Sequence, residues 1–134
     1  MPSWERWSLD FDDRAPIYRQ IILQFNRAFV RGEIPPGARV PSIREMSAIL
    51  KVNTNTMQRV YQEMEREGLI ASKRGTGYFF TEVEAMIQKT QRTLAIESLR
   101  RFVDEMRALG CKDEDIINEL VTYMKDGERN GTNA

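Results

Sequence analysis

VPSIREMSAILKVNTNTMQRVYQEMEREGLIASKRGTGYFFT, from Val40 to Thr81, reads as a short helix, a tight turn, a second helix and a two-stranded hairpin. Each part follows from local chemistry. Ser42 with Glu45 three residues on has the capping-box pattern, in which each side chain satisfies a free backbone N–H of the other, so the first helix starts near Ser42. Ile43, Met46, Ile49 and Leu50 then recur at steps of three and four and give it one apolar face. Lys51-Val52-Asn53 is long enough only for a turn, and Asn53 is a good N-cap for a second helix whose inward positions are Met57, Val60, Tyr61 and Met64. Gly68 ends that helix.

Two helices joined by so short a turn cross steeply, which pushes the start of the second one out as a ridge of Asn53, Thr54, Asn55, Thr56 and Gln58. Short side chains with donors and acceptors at that place suit base edges and phosphate oxygens in a major groove. A merely soluble, well-capped helix would also favour Asn and Thr, so the ridge alone leaves both readings open. The hairpin weighs for the groove. Leu69 to Ser72 and Tyr78 to Thr81 are β-prone runs around Lys73-Arg74-Gly75-Thr76-Gly77, and a tip with two adjacent cations fits entry into a minor groove better than a solvated turn. The order of elements is that of a winged helix-turn-helix.

Residues Pro16 through Thr81 resemble the DNA-binding domain of the GntR family of bacterial transcription regulators. The likeness rests on Pro16-Ile17-Tyr18-Arg19-Gln20-Ile21, Gly32-Glu33-Ile34-Pro35-Pro36-Gly37, Val40-Pro41-Ser42-Ile43-Arg44-Glu45, Asn53-Thr54-Asn55-Thr56, and Glu67-Gly68-Leu69-Ile70 before the glycine-bracketed wing. About half of the chain is covered, with the motifs in the family's order, and the short helical tail is similar to that of the YtrA-type subfamily. The resemblance implies DNA contacts by the arginine of the Pro-Ser-x-Arg motif, the first turn of the recognition helix and the wing tip. The candidate DNA-binding set is therefore Ser42, Arg44, Asn53, Thr54, Asn55, Thr56, Gln58, Arg59, Lys73, Arg74, Gly75, Thr76 and Gly77. Several family members carry arginines where this chain has Thr54 and Gln58, so base preference does not carry over. The resemblance also implies repression, with a neighbouring transporter operon as target.

The length of 134 residues suits one compact domain with an accessory element. A 41% apolar and 30% charged composition is that of a soluble globular protein, and no apolar run approaches the roughly 20 residues that span a bilayer. The start, Met1 to Trp7, lacks the apolar centre of a signal peptide, so a cytoplasmic location with no membrane partner is expected. The single Cys111 reads as a small buried hydrophobe. A net charge of zero weighs against DNA binding until its distribution is read. Residues 1–13 hold one cation against four anions, residues 14–82 hold eleven against six, a balance of +5, and residues 83–134 hold eight against ten. The surplus lies in the reading segment, and its modest size calls for a dimer and for salt-sensitive binding.

Before that segment, Trp4, Trp7, Leu9 and Phe11 alternate with polar residues, and an edge strand over Ser8 to Asp12 that pairs with the wing is expected, packing on the tail helices being the alternative. Ile17, Tyr18, Ile21, Ile22, Phe25, Ala28 and Phe29 then form the stripe of a core helix that ends at Gly32. After the wing a long helix runs from Glu82 to Leu109, with its stripe interrupted at Thr90 and Gln91 by a bend or a solvent-facing turn. Gly110 separates it from a helix opened by Asp113-Glu114-Asp115, and Gly127 to Ala134 should fray. The expected organisation is a winged helix-turn-helix domain over residues 1–82 and a helical dimerisation region over 83–134, mainly α with a small β-hairpin. The candidate dimer contacts are Leu94, Leu99, Phe102, Val103, Met106, Ile117, Leu120, Val121 and Met124.

With no histidine and one cysteine, the chain lacks the usual groups for transition metals and for histidine-based catalysis. No metal site, cofactor or enzymatic activity is expected; the acidic cluster at Asp113 reads as helix-dipole compensation. The residues name no effector, and one would have to sit at the dimer interface or between tail and reading head. The leading reading is a sequence-specific DNA-binding regulator acting as a homodimer on a palindromic operator. The alternative is a winged-helix protein-interaction module with no DNA ligand.

Overall fold

The computed structural model describes residues 3–130 and divides into two compact units, with the boundary between Thr93 and Leu94. In the first unit the helix α1, Ile17–Val30, buries Ile21, Phe25, Ala28 and Phe29, as its apolar period requires. A two-residue strand β1, Arg39–Val40, leads into α2, Ile43–Leu50, and α3, Thr54–Arg66. The wing follows as β2, Ile70–Lys73, and β3, Gly77–Phe80. Helix α4 spans Glu84–Ala108 and α5 spans Asp113–Asn130.

The sheet has three strands, not two. Its order is β1-β3-β2, all antiparallel, with Val40 opposite Tyr78 and Ile70 opposite Phe80. The edge expected from Ser8 to Asp12 is thus supplied by Arg39–Val40, and Ser8 to Asp12 form no strand. The reason is aromatic burial. Trp4, in a 3-10 turn over Trp4–Arg6, stacks on Phe80 with centroids 6.5 Å apart, and Trp7 stacks on Phe25 at 5.1 Å. Phe29 reaches Phe80 at 4.9 Å. Packing two indoles on α1 and β3 stabilises the unit more than a short exposed edge strand would. The chain then turns, with the Asp12 carboxylate accepting from the Arg14 N–H, and the Gln20 amide ties Asp12 and Ala15 to α1.

The interruption at Thr90 and Gln91 does not break α4. The Thr90 hydroxyl donates to the Met86 carbonyl and the Thr93 hydroxyl to the Lys89 carbonyl, so these side chains bond back along a continuous helix. In the second unit Gly110 and Cys111 turn the chain, their N–H groups bonding Arg107 and Met106 carbonyls. Arg107 then grips Asp113 through two bonds of 3.0 Å. Helix α5 continues through Gly127 to Asn130, contrary to the fraying expected there, because one interior glycine costs a helix only about 1 kcal/mol. The same expectation for 131–134 lies outside the described residues.

Candidate nucleic-acid interface

Helix α2 begins as its sequence dictates. The Ser42 hydroxyl accepts from the Glu45 N–H at 3.1 Å while the Glu45 carboxylate accepts from the Ser42 N–H at 3.1 Å. These bonds, the backbone one first, hold the Glu45 carboxyl below its ordinary value. The helix closes at Lys51, which takes a left-handed φ of +57. Asn53 then caps α3, its carboxamide oxygen accepting from the Asn55 N–H at 2.7 Å.

Tyr61 fixes α3 in place. Its ring is fully buried and meets Tyr78 of β3 edge-on at 5.2 Å, and its hydroxyl donates to the Pro41 carbonyl at 2.6 Å. One side chain of the second helix thereby ties both the wing and the entry to α2. Burial, followed by the nearby Glu45 charge, pushes the Tyr61 phenol well above its ordinary value.

With Met57, Val60, Tyr61 and Met64 buried, the opposite face of α3 presents Thr54, Asn55, Gln58 and Arg59 to solvent, with Thr56 half-buried and Asn53 exposed. Arg44 is exposed in the first turn of α2, next to the exposed Ser42. Arg59 is held against α1: its guanidinium lies 3.7 Å from the Tyr18 ring centroid and donates to the Tyr18 hydroxyl at 3.0 Å. Arg19 donates to that same hydroxyl, also at 3.0 Å.

At the wing, the Thr76 N–H donates to the Lys73 carbonyl at 2.9 Å and closes a tight turn. Gly75 holds φ +78 and Gly77 φ +109, which L side chains rarely adopt. Lys73 to Thr76 are exposed and Gly77 is half-buried. The Lys73 ammonium sits 4.6 Å from the Phe79 ring centroid. Arg39 of β1 braces the tip by donating from Nε to the Thr76 carbonyl at 3.2 Å. Tyr18, Arg19 and Arg39 adjoin this surface, yet Tyr18 reads from the sequence as core. A local hint exists for Arg19, which lies within the Pro16 to Ile21 motif, whereas Arg39 falls between two of the quoted motifs.

The cations of this unit fall into two groups. Arg31 pairs with Glu33, and Arg66 with Glu63. The other cations of the unit, Arg44, Arg59, Lys73 and Arg74 among them, form no ion pair among the described residues. A surface that keeps these cations off its own carboxylates while burying the apolar face beneath them is equipped to take up a polyanion. Asp113, the first of the acidic cluster, is engaged by Arg107, whose hydrogen bonds and charge lower its carboxyl.

In the second unit, Leu94, Phe102, Val103, Met106 and Leu120 are half-buried and Ile116 is buried. Leu99 stays 53% exposed, Ile117 61%, Val121 44% and Met124 60%. That unit leaves four of the nine candidate dimer residues largely in solvent. Among the described residues no helix is long and apolar enough to cross a membrane.

A family model described as bacterial regulatory proteins, gntR family, matches residues 17–80. The chain is similar to the HTH-type transcriptional regulator YhcF of Bacillus subtilis, 39% identical over 117 residues that cover 87% of this chain and 97% of that protein. It is also similar to the HTH-type transcriptional repressor YtrA of Bacillus subtilis, 32% identical over 126 residues, 91% of this chain and 97% of the relative. Among solved structures, a GntR family transcriptional regulator from Listeria monocytogenes superposes with a TM-score of 0.75 at 36% identity, covering 84% of this chain and 98% of that one.

Proposed function

The chain belongs to the gntR family of bacterial regulatory proteins, DNA-binding transcription regulators, and on that premise we propose that it represses transcription as a homodimer on a palindromic operator. The observation that carries the reading is the uncommitted polar face of α3: Thr54, Asn55 and Gln58 stand in solvent on a helix locked from behind by Tyr61. In this reading Asn53 to Gln58 meet base edges in the major groove, and Arg44 with Ser42 anchors the entry to α2. Lys73 to Gly77 enter the adjacent minor groove. Arg39 keeps the tip from folding away.

Repression is supported by the likeness to the YtrA repressor, and control of a neighbouring transporter operon follows the same subfamily resemblance. Dimerisation is supported by the exposed Leu99, Ile117, Val121 and Met124, since apolar side chains concentrated on a helical unit are usually covered by association. A twofold dimer would present two recognition helices to two symmetric half-sites. A duplex DNA partner supports a cytoplasmic location, and the winged domain is taken to cover residues 1–82 with the dimerisation region beyond. Membership of a family of transcription regulators supports this reading over an enzyme and over a winged-helix module without DNA.

Sedimentation of the protein alone and with a duplex from the region upstream of its gene tests the assembly. Two protomers in both states, and one protomer after Ile117→Lys with Val121→Lys, is the expected result. A wild-type monomer binding a single half-site would overturn the dimeric reading.

A further inference from the structure

Two arginines from different helices converge on one tyrosine oxygen. Arg19 Nε and Arg59 Nη2 each donate to the Tyr18 hydroxyl at 3.0 Å, so the donors are no farther apart than twice that distance. The Arg59 guanidinium carbon lies 3.7 Å from the Tyr18 ring centroid, and that of Arg19 lies 5.6 Å from the same centroid. Like charges this close repel, and the usual remedy, a carboxylate between them, is missing among the described residues. Glu63, one turn beyond Arg59, is taken by Arg66, and the Asp12 carboxylate accepts from the Arg14 N–H. The site is exposed, so an anion from solution can reach it.

We infer that Arg19 and Arg59, gathered on Tyr18, form a clamp for a phosphate of the DNA backbone beside the recognition helix, with Arg59 holding phosphate and reading no base. The inference rests on the DNA-binding reading and adds α1 to the contact surface. A guanidinium bonded through one Nη and held over a ring keeps its remaining N–H groups for bonds to phosphate oxygens. Its plane is already ordered, so less rotamer freedom is lost on contact. The ring contact also ties the Arg59 head back toward α1, whereas Asn55 and Gln58, on the same face of α3, have no such tether. The division of labour follows: Asn55 and Gln58 meet the groove floor, while Arg59 and Arg19 meet the strand at its edge. Tyr18 is a positioning residue, supplying both the acceptor and the platform.

Fluorescence anisotropy with the upstream duplex and with an unrelated duplex of equal length, each across a salt series, separates these roles. For Arg19→Gln and Arg59→Gln the expected result is equal weakening on both duplexes. The preference for the upstream duplex should be unchanged, and the slope of log K against log salt should be shallower by about 1 per protomer. Tyr18→Phe keeps the ring and loses the acceptor, and should weaken both duplexes by the same factor with no loss of melting temperature. Arg59→Gln that lowers the preference at an unchanged slope would overturn the inference by making Arg59 a base reader. Arg19→Gln with wild-type affinity and slope would overturn it by removing Arg19 from the contact. A wild-type protein that binds neither duplex would instead overturn the DNA-binding reading beneath it.

Discussion

Replacing Tyr61 by Phe tests how the recognition helix is held. The ring would stay, with its edge-on contact to Tyr78 at 5.2 Å, and only the hydroxyl bonded to the Pro41 carbonyl at 2.6 Å would go. Pro41 is buried, so its carbonyl would be left without that donor, at a cost of about 1 to 3 kcal/mol. For a unit of this size 1 kcal/mol corresponds to roughly 4 to 8 °C, so a fall in Tm of roughly 4 to 24 °C is expected by calorimetry at neutral pH. The hydroxyl also makes the fold sensitive to alkali. Burial raises the phenol above its ordinary 10.0, so the folded chain holds this proton more tightly than the unfolded one. That contribution is complete below pH of about 10 and is lost as pH rises toward the folded value, so Tyr61→Phe should flatten the alkaline decline. A Tm within 1 °C or so of wild type, with the alkaline limb unchanged, would refute the role given to this bond.

Ser42→Ala removes the α2 cap and should cost about 1 kcal/mol in urea unfolding. The same box depresses the Glu45 carboxyl, a contribution present above its ordinary range and lost as pH falls through the folded value; Glu45→Gln should therefore lessen the acid sensitivity of the unfolding midpoint. Gly77→Ala meets φ +109 and places a Cβ 3.5 Å from the Arg39 guanidinium; a loss on the order of 1 to 3 kcal/mol in thermal melting is expected. Arg44→Ala should weaken binding to the upstream duplex by about 1 to 3 kcal/mol, measured by anisotropy, without a change in Tm.

The parts of this fold set by neighbours in sequence were legible in it. Ser42 with Glu45 and Asn53 cap α2 and α3 as their spacing implies, because a cap needs only residues two or three positions away. The burial of Met57, Val60, Tyr61 and Met64 follows from helical period alone. What escaped was set by distant partners. Arg39–Val40 is too short to show a period, and it becomes a strand only because β3 offers it a ladder. The alternation from Trp7 to Phe11 resembled a strand, but the two indoles are drawn to Phe25 and Phe80. Tyr18 sits on an apolar stripe, and nothing nearby reveals that its hydroxyl meets an arginine 41 residues away. The polar ridge and the wing cations were readable as candidate contacts; the braces that orient them, Arg39 on Thr76 and Tyr61 on Pro41, were not.

Titration of the purified protein against the DNA upstream of its own gene, beside an unrelated duplex of equal length and across a salt series, tests the central claim most directly. The account predicts tight, salt-dependent binding that prefers the upstream duplex, with two protomers per site. Equal, weak binding to both duplexes, or no binding to either at low salt, would contradict it.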